Sequence, residues 1–178
     1  LKGISSKSKL SLTKFGKNFD IDEKYQFNHY QELINCSDID AVYISTLNNT
    51  HFDLIKASIK NNKKILCEKP FVLDLTEANE IKKLIDEKKI FFFEAIAYRS
   101  HPQTKEILNL IQDDVIGSIK KIEASFGFKV RKVKKDSRLF NKDFGGGAIL
   151  DLGCYPISFM QLFDADKNKY EIIDQKHS

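Results

Sequence analysis

Apolar residues recur along the chain in two alternating rhythms. Leu1 to Ser5 reads as the end of a strand, and Ser8 to Gly16 as a short helix with Gly16 as its stop. Tyr25 to Phe27 reads as a short strand, and Asn28 then stands in capping position for a helix over His29 to Ile34. Asp40 to Thr46 (DAVYIST) is a β-rich apolar run of the kind a buried strand needs. Asn48 and Asn49 follow as turn and cap residues. From His51 to Asn61 the spacing turns helical, with Phe52, Ile55 and Ile59 on one face. Lys63 to Glu68 (KKILCE) is again a strand. Asp74 to Lys89 is the clearest helix: Asp74 and Glu77 have the spacing of a capping box, and Ala78, Ile81 and Ile85 form its apolar stripe. Ile90 to Tyr98 closes the series as another strand.

Strands alternating with helices over short links predict an α/β fold, a parallel sheet with helices on both faces. Ligands of such sheets bind at the carboxyl ends of the strands, so functional residues are expected just after Ser5, Thr46, Glu68 and Ile96. After a helix over Pro102 to Gln112 the rhythm changes. Ile122, Ala124, Phe126 and Phe128 alternate with Lys121, Glu123 and Ser125, the pattern of a half-buried antiparallel strand over Ser118 to Phe128. A domain boundary is therefore expected near residues 99–102, separating 1–100 from an α+β unit over 101–178.

Composition narrows the class. The 178 residues are 42% hydrophobic and 30% charged, which suits a globular chain with a real core. The net charge of +4 is a mild excess. Its densest run is Lys129, Arg131, Lys132, Lys134 and Lys135; without interleaved aromatics it reads as a solvated loop rather than a nucleic-acid surface. Cys36, Cys67 and Cys154 are odd in number and far apart with no CxxC pair, which supports neither a zinc ribbon nor a thioredoxin-type site and predicts a reducing, cytoplasmic setting. No apolar run approaches the roughly 20 residues a membrane helix needs. The chain begins with Leu1 rather than Met and is expected to be part of something longer.

Two clusters carry candidate chemistry. Glu68-Lys69-Pro70 ends a strand on the ligand edge, where Lys69 is either a solvated lysine or one desolvated enough for proton transfer. Gly145-Gly146-Gly147 precedes a helix over Ala148 to Phe163, on which Asp151 and Tyr155 are four apart and share a face, with Ser158 extending the polar stripe. A tyrosine near a lysine and an aspartate can relay a proton to or from a substrate hydroxyl. His51 is either an ordinary first-turn residue or a donor to a ligand. Glu94 and Tyr98 share a strand face that ends in Arg99, and form either a junction charge pair or part of a site.

Five blocks, DAVYISTLNNTH (Asp40–His51), KKILCEKP (Lys63–Pro70), FFFEAIAYRSHPQ (Phe91–Gln103), IGSIKKIEASFGF (Ile116–Phe128) and FGGGAILDLGCYPIS (Phe144–Ser158), resemble the glucose-fructose oxidoreductase / inositol dehydrogenase / rhizopine-catabolism family of nicotinamide-dependent oxidoreductases. The forms EAxxYRxHPQ and GGGAxxDxGCYPxS look like its aldose and dihydrodiol dehydrogenase branch. The resemblance implies a Rossmann domain followed by a domain with a mostly antiparallel sheet. It implies Lys69 as the catalytic lysine, Tyr155 at the acid/base position and Asp151 in the substrate pocket, with Tyr98 and Arg99 beside them. It puts Thr46, Leu47, Asn48, His51, Glu68, Lys69 and Glu94 at the cofactor site. Ser6-Lys7 matches a Ser-Arg pair that receives the 2′-phosphate of NADP, and no acidic residue stands there, which favours NADP over NAD. Lys7 for Arg weakens bidentate phosphate recognition.

The same resemblance predicts that the family's first strand, glycine-rich turn and helix, about 25 residues, precede Leu1. The sheet is then expected to lack its central strand, and the 178-residue chain alone to be inactive. The expected function is hydride transfer between NADP(H) and a hydroxyl or carbonyl carbon of a sugar, polyol or diol, in a homo-oligomer with no metal and no nucleic-acid or membrane partner. The alternative is a nicotinamide-binding sensor of the same fold without turnover.

Overall fold

The computed structural model describes residues 1–132 and 137–163. Its first half alternates strand and helix: β1 (Ile4–Ser5), α1 (Lys9–Asn18), β2 (Gln26–Phe27), α2 (Tyr30–Asn35), β3 (Ala41–Ile44), α3 (His51–Lys60), β4 (Lys64–Glu68), α4 (Leu75–Lys88) and β5 (Phe92–Ala95). All strand pairs are parallel. They form a β1–β2 pair and a β3–β4–β5 sheet. Between the two lies a cavity of about 570 Å³, lined by residues 1–5 on one side and 38–46 on the other.

The core forms where β3 and β4 turn alternate residues toward α3 and α4. Val42, Ile44, Ile65 and Cys67 meet Ile55, Ile59 and Ile81 there, and all are buried. Burial of this kind is the main favourable term, about 1.5–3 kcal/mol for each large aliphatic side chain. The opposite strand positions, Tyr43 and Leu66, remain exposed. α4 begins as its sequence predicts, with the Asp74 carboxylate accepting from the Glu77 N–H at 2.9 Å. It ends at Lys89, which takes a left-handed conformation at φ 53°. Lys63 is buried yet satisfied, donating to the Cys36 carbonyl at 2.7 Å and the Ile39 carbonyl at 2.5 Å.

Several expectations are corrected. α1 passes through Gly16 and ends two residues later; Gly16 is a packing position, where a Cβ would lie 2.5 Å from the Gln26 amide. That amide donates to the Ile21 carbonyl at 2.7 Å, a bond any larger residue at position 16 would displace. The residue capping α2 is His29, not Asn28, because its backbone N–H reaches the Glu32 carboxylate at 3.4 Å. The last strand stops at Ala95, and Ala97–Ser100 forms a 3₁₀ turn, which takes Tyr98 and Arg99 off the strand.

The strand expected over residues 118–128 is irregular backbone, with Phe126 and Phe128 more than half exposed. Alternation assigns faces, but a strand also needs a neighbour for its N–H and C=O groups, and none of the described residues pairs with this segment. Helix α5 (Pro102–Gln112) matches its predicted span. Of the basic run, Lys129, Arg131 and Lys132 are exposed, while Lys134 and Lys135 lie outside the described residues. Near the end of the described chain, a π turn (Ile149–Gly153) leads into α6 (Cys154–Gln161). Among the described residues no helix is long and apolar enough to cross a membrane.

Candidate functional site

The carboxyl ends of β3 and β4 open into a second cavity of about 500 Å³, lined by Tyr30, Ser45, Thr46, Leu47, Asn48, Glu68, Lys69 and Arg138. Five of these, Thr46, Leu47, Asn48, Glu68 and Lys69, are predicted cofactor residues, and Lys69 is also the predicted catalytic lysine. Their position follows from the parallel topology, which brings every strand-to-helix turn to one edge. The first cavity shares Tyr30, Ser45 and Thr46 with it and so adjoins it, while the crevice at the strand ends is the second cavity.

Lys69 projects from the end of β4 toward the segment that precedes α6. Its ammonium donates to the Asp151 carboxylate at 3.0 Å and also to the Asp151 carbonyl oxygen. Both side chains are about 15% exposed, so the pair is mostly shielded from water. The same ammonium lies 5.1 Å from the centroid of the Tyr155 ring. The expectation that Asp151 and Tyr155 share a face is met, although Asp151 falls within the π turn and Tyr155 within α6. Arg138 approaches the Asp151 carboxylate at 3.8 Å, as a looser second cation.

The glycine run shapes this approach. Gly147 has φ 118°, open to glycine, and a Cβ on Gly146 would come within 2.7 Å of the Asn141 carbonyl oxygen. The turn therefore closes on residue 141 and starts the π turn with Asp151 facing Lys69.

Tyr98 and Arg99 both reach Ser158, three residues along α6 from Tyr155. The Tyr98 hydroxyl donates to Ser158 Oγ at 2.8 Å, and Arg99 Nη1 donates to the same oxygen at 3.3 Å. Ser158 is buried, so this junction ties the 97–100 turn to α6. Tyr155 packs between Phe126, at 4.9 Å between ring centroids, and Tyr98, at 6.4 Å.

Two predicted cofactor residues lie beneath the crevice. His51 is fully buried; its Nδ1 is 2.9 Å from the Pro70 carbonyl and its Nε2 3.2 Å from the Thr46 carbonyl. The ligand-facing donor expected at the start of α3 is thus turned inward onto backbone. Glu94, on β5, accepts from the Phe71 N–H at 3.1 Å. Burial pushes its carboxyl above the usual carboxylate range, against the opposing pull of that N–H, His51 and Lys69. Ser6 and Lys7 stand at the end of β1: Ser6 Oγ accepts from the Ser8 N–H at 3.2 Å, and the Lys7 ammonium lies 5.8 Å over the Tyr30 ring.

Sequence reasoning missed Tyr30, Ser45 and Arg138 as lining residues, and Ser158 as a junction. Ser158 was visible as the end of a polar stripe. Arg138 follows a basic run with no periodicity to mark it.

A parallel α/β sheet with its strand-to-helix turns gathered on one edge defines a Rossmann-type protein. A family model described as "Oxidoreductase family, NAD-binding Rossmann fold" matches residues 1–96, and one for the "GFO/IDH/MocA C-terminal domain" matches residues 104–166. The chain belongs to the GFO/IDH/MocA family of oxidoreductases. It is 34% identical over 148 residues to trans-1,2-dihydrobenzene-1,2-diol dehydrogenase of Xenopus tropicalis, covering 83% of this chain and 43% of that protein. It is 29% identical over 137 residues to "D-xylose 1-dehydrogenase (NADP(+)) 2" of Haloferax volcanii, covering 77% of this chain and 42% of that one. The chain thus spans less than half the length of these relatives.

Among solved structures, aldose-aldose oxidoreductase from Caulobacter crescentus, complexed with glycerol, superposes with a TM-score of 0.83 at 20% identity, over 92% of this chain and 49% of that one. That likeness shows the fold. A 3-ketoreductase from Actinomadura kijaniata, in complex with NADP and TDP-benzene, gives a TM-score of 0.78 at 27% identity over the same shares.

Proposed function

We propose that the protein containing this chain is an NADP-dependent oxidoreductase acting on a hydroxyl or carbonyl carbon of a sugar, polyol or related diol. The observation that carries the reading is the junction of Lys69 with Asp151 and the Tyr155 ring beside the strand-end crevice. The relatives named above, which act on diols and sugars, support the substrate class. The two family models meet near residue 100 and support a nucleotide-binding unit over 1–100 followed by a second unit from 101.

The crevice fits a dinucleotide. Its lining, at the ends of β3 and β4, offers hydroxyl, amide and charged groups. Thr46, Leu47, Asn48 and Glu68 hold the nicotinamide half in this reading. Ser6 and Lys7 meet the 2′-phosphate: a lysine without a neighbouring carboxylate accepts that dianion, whereas NAD recognition commonly uses an acidic residue on the ribose. Bound there, the nicotinamide supplies the hydride acceptor or donor.

The chain's own residues supply the rest. Asp151 orients the substrate hydroxyl, and Tyr155, entering as the tyrosinate, accepts its proton as the C–H electron pair leaves and ends as the neutral phenol. The Lys69 ammonium stands over the ring face, 5.1 Å from its centroid, and holds the ring in place. In the reductive direction Tyr155 returns the proton to the carbonyl oxygen.

The test is turnover and binding in the complete protein, over a panel of aldoses, polyols and vicinal diols with each cofactor. NADP reduction by a panel member, with NADPH bound more tightly than NADH, is the expected result. Equal or tighter NADH binding overturns the cofactor assignment. NADPH binding without turnover on any panel member turns the reading to the non-catalytic sensor.

A further inference from the structure

Lys69 directly follows β4, and the two residues after it are each held at the backbone by a side chain from a different element. His51, at the first turn of α3, meets the Pro70 carbonyl through Nδ1 at 2.9 Å, and its Nε2 meets the Thr46 carbonyl beyond β3 at 3.2 Å. Glu94, on β5, receives the Phe71 N–H at 3.1 Å. The carboxyl ends of three adjacent parallel strands are thus bound together by two side chains, directly under the lysine. His51 is fully buried and Pro70 is buried with it. Neither contact reaches the crevice.

We propose that His51 and Glu94 are positioning residues for Lys69: together they fix the Pro70–Phe71 backbone so that the lysine ammonium reaches Asp151 and the Tyr155 ring. The physical case is one of lever arm. A lysine side chain has four rotatable bonds, and its head group is placed only as well as its own backbone is placed. A strand end is the point where the ladder stops fixing that backbone, since Glu68 is the last β4 residue paired with β5. Beyond it, the described bonds to the backbone of residues 70 and 71 are the ones from His51 and Glu94. A shift of about 1 Å at a reacting group lowers rate by about 100-fold, so the bracket matters to chemistry without touching substrate.

The consequence for turnover rests on the proposed oxidoreductase function, while the placement of Lys69 does not, and the experiment reads the two separately. The first readout is the rate at which acetic anhydride modifies Lys69 in the complete folded protein, followed by mass spectrometry with exposed Lys82 as internal reference. His51→Ala and Glu94→Ala are expected to raise the Lys69 rate about tenfold, the effect of local opening made easier by one decade. Glu94→Gln, whose amide oxygen still accepts from the Phe71 N–H, is expected to stay near the parent. Ile81→Val, a loosening of the core away from the bracket, is the control.

Where an alanine variant does not fold, Glu94→Asp serves in its place, since it keeps the charge and is one methylene short of Phe71. An unchanged Lys69 rate in the folded bracket variants overturns the proposal, as does an equal rise in Ile81→Val. The second readout is kinetic: kcat falls by about 100-fold in Glu94→Ala with little change in cofactor KM, and Glu94→Gln recovers it. A raised cofactor KM at constant kcat makes Glu94 a cofactor ligand and overturns the positioning role. If the parent protein shows no turnover, the oxidoreductase reading fails, and the labelling rates still decide the bracket.

Discussion

Lys69 is joined to Asp151, 82 residues further along the chain, through both the carboxylate, at 3.0 Å, and the carbonyl oxygen of that residue. The bond links the strand-end turn of the first half of the chain to the π turn before α6. Each partner offsets the other's loss of water, since both are about 15% exposed.

Lys69→Ala is therefore expected to act on both chemistry and stability. In the complete protein it lowers kcat by at least about 100-fold, the low end of acid–base contributions. Among the described residues it also leaves the Asp151 carboxylate with only the more distant Arg138, a loss of about 1–3 kcal/mol. Steady-state kinetics and urea denaturation check the two effects, and unchanged turnover removes Lys69 from the mechanism.

Glu94 sets a pH dependence with a definite sign. Burial raises its folded pKa, so the native state keeps a proton that the unfolded chain has already released. The stability tied to the protonated form is present below the ordinary carboxylate range and is lost as pH rises through the raised value. Glu94→Gln cannot ionise and keeps the acceptor for Phe71. Its stability relative to the parent should increase between about pH 4 and pH 7. Urea midpoints for both proteins at the two pH values give the answer; a difference independent of pH contradicts the assignment.

Cys67 should be inert in the folded protein. Its thiol is fully buried, and burial, with smaller contributions from the Glu94 and Glu68 carboxylates, pushes it up to about 12. At pH 8, iodoacetamide should modify it at least about 100-fold more slowly than in the denatured chain, because the thiolate is the reactive form. Modification of Cys67 at the denatured rate would show that the β4 core is open.

Ile55 and Leu10 provide a packing contrast. Ile55 has no exposed surface, whereas Leu10 is 80% exposed on α1. Ile55→Ala is expected to cost about 2–5 kcal/mol, and Leu10→Ala to stay within about 0.5 kcal/mol. Similar losses for both in chemical denaturation would refute the described core.

Much of the fold is legible in local pattern. The alternation of apolar runs with 3.6-residue stripes marks α3, β4, α4 and α5 because each element must bury one face or stripe, and burial repeats at the period of the element. Asp74 and Glu77 announce the start of α4 because the cap bond is made within four residues. Pattern fails where the outcome depends on a distant partner. The alternation over residues 118–128 predicts a strand, but no described segment pairs with it. The spacing at Gly16 suggests a stop, but the helix continues because the glycine packs against Gln26, ten residues away.

The candidate site divides in the same way. By itself, the sequence determined which chemical groups stand at the strand ends and on one face of the last helix: Thr46, Asn48, Glu68, Lys69, Asp151 and Tyr155. Strand polarity and helical spacing are local properties that sequence distance encodes directly. Only the tertiary structure decided that Lys69 bonds to Asp151, that Tyr98 and Arg99 turn to Ser158, and that His51 and Glu94 face inward to hold the backbone. Those outcomes depend on where separate elements pack, and a buried polar group takes whichever partner that packing brings within hydrogen-bond distance.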